Sequence, residues 1–120
     1  MRLGLVVLAV ALLGVGAAGT DPSGLRGTVT RSPTRPVCVV GEPCSAPAPN
    51  VAIQFVRPGH RTVTTRTDTR GRYRVTLAPG VWSVRTAPTT RIARAIEPKN
   101  VRVYAGRFRV VDFDIDTGIR

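Results

Sequence analysis

The chain has 120 residues, a formal charge of +11, two Cys and a single His. That length bounds it to one domain with one core, and the scarcity of Cys and His excludes a structural zinc site, which needs a second pair of ligands. Seventeen of the eighteen basic residues are Arg, Lys99 being the exception; the resulting field attracts polyanions, although a G+C-rich codon usage produces the same bias beside abundant Ala, Gly, Pro and Val.

Arg2 is followed by an apolar run from Leu3 to Val15 that ends in the small residues Gly16, Ala17, Ala18 and Gly19. A charged start, an apolar middle and a small-residue exit predict a secretory signal peptide over residues 1–19, with cleavage after Ala17, Ala18 or Gly19. The run falls short of the ~20 apolar residues of a membrane span, so retention as an anchor is the weaker alternative. Membrane contact is expected only through this segment, before cleavage. Residues 20–120 then form a secreted or cell-envelope domain with its core over 24–116. Oxidising conditions make pairing of Cys38 with Cys44 the default. So short a loop gains at most about 2 kcal/mol from the bridge, whose main effect is to hold the loop's shape.

Leu25, Gly27 and Val29 alternate with Arg26, Thr28 and Thr30, which predicts a first strand. From Ser32 to Asn50 five prolines forbid a central strand, leaving a long disulfide-clipped loop. Val51–Val56 reads as a strand ending at the Pro58-Gly59 turn, and Thr62–Thr67, rich in β-branched residues, reads as a half-exposed one.

Asp68 and Gly71 fit the first and fourth positions of a type I turn closed by a bulge, with Gly71 at positive φ. Beyond it Tyr73, Val75 and Leu77 face one way and Arg72, Arg74 and Thr76 the other. Ala78-Pro79-Gly80-Val81 fits a type II turn, with Pro79 fixing the first central residue and Gly80 supplying positive φ at the second. Trp82, Val84 and Thr86 continue one face of the next strand. After an irregular connection over 87–100, with room for short helical turns within 87–97, Val101 and Val103 mark another strand and Tyr104–Arg107, with Gly106, its hairpin. In the last strand Phe108 and Val110 are out of phase with Val111, Phe113 and Ile115, and a bulge near Val110 is expected to bring both sets inward. Seven strands and no credible helix predict an all-β sandwich.

"TDTRGRYRVTLAPGVWSV" resembles the core signature of carboxypeptidase regulatory-like domains: Thr-Asp, a following Gly, an aromatic residue, then a Pro-Gly turn before Tyr or Trp. "VRVYAGRFRVVDFDI" is similar to the final hairpin of the same family. The resemblance spans most of residues 24–115 and departs from the family pattern at the clipped loop over 32–50. It implies a seven-stranded prealbumin-like (transthyretin-like) Greek-key sandwich, of a short stand-alone exported type without a catalytic role of its own.

Candidate chemistry is sparse. His60 follows a turn, and Ser23, Ser32, Ser45 and Ser83 lie in no nucleophile-elbow pattern. The urate-pathway hydrolases of a similar fold rest on several His and Arg side chains and a tyrosine-bearing carboxy terminus, which one His and "DTGIR" do not match. Asp112, Asp114 and Asp116 share one face and resemble the start of a calcium loop, but Thr117 stands where the loop needs Gly; pairing with Arg side chains on neighbouring strands is the alternative. An isopeptide from Lys99 to Asn100 or Asn50 needs adjacent core strands, whereas Lys99 sits at a loop end. Tyr73 and Trp82 are expected in the core rather than stacked on sugars.

Neither a catalytic centre nor a cofactor is therefore expected. The expected role is a non-enzymatic structural or binding module, its partner an envelope protein or an anionic polymer; a small hydrolase is the remote alternative. Arg66, Arg72, Arg74, Arg85 and Arg102 are the candidate anion-binding side chains, forming a ladder on a sheet face if their strands are neighbours. With the interleaved aromatic residues expected inward, sequence-specific nucleic-acid recognition is not expected.

Overall fold

The computed structural model describes residues 21–87 and 95–119. The predicted signal peptide and most of the connection over 87–97 lie outside the described residues. Within them there is no helix, and so none long and apolar enough to cross a membrane.

The described residues form ten strands: β1 (Gly24–Ser32), β2 (Ala46–Pro47), β3 (Ala52–Val56), β4 (Val63–Arg66), β5 (Arg72–Thr76), β6 (Gly80–Thr86), β7 (Ile96–Glu97), β8 (Asn100–Val103), β9 (Phe108–Val110) and β10 (Phe113–Asp116). The excess over the seven expected has a simple source. β2 and β7 are two-residue edge pairings that periodicity cannot reveal, and the expected last strand is divided into β9 and β10.

β1 organises the first sheet. Along one side it pairs antiparallel with β5 and then β2. Along the other it runs parallel to β9 and then β10, with the same 84-residue offset in both pairings, from Gly24 opposite Phe108 to Ser32 opposite Asp116. β7 adds to the far edge of β10. The second sheet has the order β4-β3-β6-β8, all antiparallel. Pro58-Gly59 turns a true hairpin between β3 and β4. By contrast, Tyr104–Arg107 joins β8 in the second sheet to β9 in the first, so the expected final hairpin is a crossover between sheets.

Between the sheets lie Leu25, Val29, Tyr73, Val75, Phe113 and Ile115 from the first and Ile53, Phe55, Trp82, Val84, Val101 and Val103 from the second. Phe113 meets Phe55 edge-on across the gap at 6.2 Å and Tyr73 at 5.5 Å. Inward placement of Tyr73 and Trp82 follows the alternation read from sequence. The expected bulge near Val110 is absent: the offset to β1 is the same before and after it, so Phe108 and Val110 stay on the outer face. Val110 is 55% exposed, and Val111 packs against the core instead.

The turn before β5 is built as its sequence predicts. Gly71 has φ +77° and its N–H donates to the Asp68 carbonyl at 3.1 Å, while the Asp68 N–H donates to the Arg72 carbonyl. The Asp68 carboxylate accepts from the N–H groups of Arg70 (2.8 Å) and Arg72 (2.9 Å) and from the Arg72 guanidinium (3.1 Å). These donors, the Arg72 N–H foremost, hold its pKa below the ordinary 3.8 against partial desolvation. Because the folded state favours the ionised carboxylate, this contribution is complete above the unfolded pKa and is lost as pH falls through the folded one. Asp68→Asn is therefore expected to lower the melting midpoint at neutral pH and to flatten its decline in acid, as thermal melts across the range around pH 3.8 will show.

Gly80 also has positive φ, +136°, but this is more extended than the roughly 80° of a type II turn. Gly80 is instead the first paired residue of β6, opposite Val103, and the preceding carbonyl of Pro79 is taken by the Arg57 guanidinium at 2.6 Å. Gly106, at φ +75°, turns the chain between β8 and β9. In the loop over 32–50, Cys38 and Cys44 form a disulfide with Cα atoms 5.6 Å apart, as an extracytoplasmic location favours. It clips a turn on which Val37, Val39 and Val40 are exposed.

A candidate anion-binding pole

Registers fix which residues share an end of the sandwich. β1 begins at Gly24, beside Thr76 of β5 and Phe108 of β9. β5 leads from there into Gly80 of β6, which faces Val103 of β8, and Val56 of β3 and Val63 of β4 lie at the same end. This pole carries Arg57 and Arg61 from the β3–β4 turn, Arg102 of β8, Arg107 and Arg109 around the β8–β9 turn, and Arg26 and Arg74 on the adjoining outer face of the first sheet. Among the described residues its one acid is Asp21, beside Gly106. The remaining carboxylates lie from the middle of β1 toward the opposite end.

Aromatic rings hold several of these guanidinium groups. Arg74 lies 3.8 Å above the Phe108 ring. Arg107 and Arg109 lie 4.8 and 5.6 Å from the Tyr104 ring, and Arg109 Nη1 donates to the Arg102 carbonyl at 3.1 Å. Arg57 sits 5.8 Å from the centre of Trp82, whose indole N–H donates to the Ala78 carbonyl. Such stacking, worth about 0.5–1 kcal/mol at an exposed site, orients the planar fork; Arg57 and Arg109 each give one Nη1 to a main-chain carbonyl, and the five donors of a guanidinium leave others for carboxylate or phosphate oxygens.

Only part of this pole belongs to the set read from sequence. Arg72 and Arg74 stand on the outer face of the first sheet, whereas Arg66, Arg85 and Arg102 belong to the second. The five do not form one ladder, because the links from β4 to β5 and from β5 to β6 each cross between sheets. Arg72 is held by Asp68, Arg85 by Gln54 at 2.8 Å and Arg66 by the Asn50 carbonyl at 3.0 Å. Sequence reasoning missed Arg26, Arg57, Arg61, Arg107 and Arg109, and placed Phe108 inward. The segment "RVYAGRFR", with arginines set around Tyr104 and Phe108, was the available signal.

The other candidates are engaged structurally. Asp112, Asp114 and Asp116 do share a face, but Asp112 accepts from the Thr28 N–H and hydroxyl and Asp114 from the Thr30 and Ser32 hydroxyls, rather than from Arg. Among the described residues no three His, Cys, Asp or Glu side chains are placed to hold a metal. Lys99 pairs with Glu97 at 3.7 Å on the surface. His60 meets the Trp82 ring edge-on at 5.5 Å, with Nδ1 3.3 Å from the Pro58 carbonyl. The buried Tyr73 hydroxyl donates to the Val111 carbonyl at 2.6 Å; burial, aided by the Asp112 charge, raises its pKa and keeps it protonated. Ser83, Arg85, Ile96 and Lys99 line a separate open groove of about 310 Å³.

No family model matches the chain, and no curated protein matches it. Among solved structures it is similar to a DUF3823 family protein from Parabacteroides merdae, with 14% identity and a TM-score of 0.44 over 79% of this chain and 46% of that one. The chain thus spans less than half of that protein's length.

Proposed function

We propose that the chain is an exported, non-enzymatic module of the carboxypeptidase regulatory-like, prealbumin-like type that binds an acidic envelope polymer. The observation that carries this reading is the pole itself: among the described residues, seven arginines against one carboxylate, four of them with guanidinium groups oriented on aromatic rings. The Asp68–Gly71 turn, the inward Tyr73 and Trp82 and the clipped extracytoplasmic loop support the family and compartment. Tyr104 and Phe108 face outward but lie against guanidinium groups, which favours contact with phosphate or carboxylate over stacking on bases. Binding is therefore generic among polyanions and dependent on salt.

Titration of residues 20–120 with teichoic acid and with DNA tests this. If about four phosphates are contacted, affinity falls roughly 10²-fold between 50 and 200 mM salt. Arg107→Gln with Arg109→Gln is expected to flatten the salt dependence, while Arg72→Gln with Arg85→Gln leaves it unchanged. Equal losses from both pairs, or no binding at low salt, overturn the reading.

A further inference from the structure

The apolar run Leu3–Val15 joins the fold at the arginine-rich pole. β1 starts there, and Asp21 lies against the β8–β9 turn. Only Gly16–Pro22 separates the run from the first buried residue, Ser23, a link that spans at most about 25 Å when extended. An apolar run held in a bilayer would bring this end of the domain toward the membrane. The side chains there suit that position. Tyr104, 40% exposed at the start of the turn, carries a polar hydroxyl on an apolar ring that Arg107 and Arg109 both approach, the combination found at headgroup level. The arginines also come from separate segments spread across the ends of both sheets, so that together they present a broad cationic face to an extended anionic surface.

We infer that the arginine-rich pole is a membrane-docking surface for anionic lipid headgroups, their phosphates held by the guanidinium groups and Tyr104 seated at the headgroup boundary. This extends membrane contact beyond the apolar run and continues after its removal. It rests on the reading of the pole as an anion site and names the source of the phosphate. Each arginine near an anionic bilayer strengthens binding about fivefold, and the attraction weakens within a Debye length as salt rises.

The test uses residues 20–120, which contain every buried residue of the described core. The protein is sedimented with vesicles of phosphatidylcholine alone and of phosphatidylcholine with phosphatidylglycerol, and titrated in parallel with soluble poly(glycerol phosphate). Binding is expected to the mixed vesicles and not to the neutral ones. The double variant Arg107→Gln/Arg109→Gln should bind the mixed vesicles about 25-fold more weakly, with Arg66→Gln/Arg85→Gln unchanged and thermal melts confirming that both variants are folded. Should the Gln pair fail to fold, Arg61→Gln at the exposed β3–β4 turn reports on the same surface with about a fivefold loss. Binding to the soluble polymer without binding to mixed vesicles overturns the membrane inference and leaves the anion site standing. Equal binding to both kinds of vesicle overturns it as well, and failure to bind any of the three removes the anion site too.

Discussion

Replacing Gly71 by Val is expected to cost at least about 3 kcal/mol, enough to leave a domain of this size marginally folded. Two penalties combine. The residue has φ +77°, a conformation in which a β-branched side chain is strained by about 1–3 kcal/mol. In addition, a Cβ built at this position lies 2.6 Å from the Val29 carbonyl oxygen and 3.1 Å from the Ala48 N–H nitrogen. That carbonyl accepts from Ala48, and the Val29 N–H donates back to the Gly71 carbonyl. The new methyl groups therefore push apart three segments of the first sheet at the point where β2, β1 and the β4–β5 turn meet. A chemical-denaturation midpoint close to that of the wild type would show that this junction is not closely packed.

Phe113→Ala should be as damaging, at about 3–5 kcal/mol, which lowers the melting midpoint by on the order of 15 °C or more. Phe113 is 2% exposed and is the ring through which the first sheet touches Phe55 of the second, with Tyr73 at its other side. Removing it opens a cavity that neither backbone layer can close. Val110→Ala, three residues earlier, is the matched control. Its side chain faces solvent, so its cost is expected to stay within about 0.5 kcal/mol. Comparable losses from the two variants would contradict the unbulged register between β1 and the last strands.

What was legible in the sequence was what short-range physics determines. Asp68 and Gly71 specify their turn through contacts within five residues. The alternation from Arg72 to Val84 names the buried side of β5 and β6, whatever they pack against. Phe108 and Val110 were misassigned because hydrophobicity alone was used to place them, when the shallow cover that Arg74 gives Phe108 comes from a strand far away in sequence. Gly80 has a positive φ but not the type II value its sequence implies, because the guanidinium of Arg57 and the pairing with Val103, both long-range, make it the start of a strand. The same limit hid the pole. Arg26, Arg57, Arg74, Arg102 and Arg107 lie in five different segments, and only the sheet registers bring them together. The predicted ladder failed for the converse reason, since the strands carrying Arg72 and Arg85 follow closely in sequence yet belong to opposite sheets.

The constant 84-residue offset between β1 and β9–β10 has a consequence for the order in which the chain folds. The central strand of the first sheet has its parallel partner at the far end of the polypeptide, so that sheet cannot be completed by an emerging amino-terminal portion alone. Pairing of such high contact order is slow, because a large loop must close before any contact rewards it. A chain synthesised from its amino terminus thus completes its first sheet only after β9 and β10 have emerged, and until then β1 lacks the partner along one whole side.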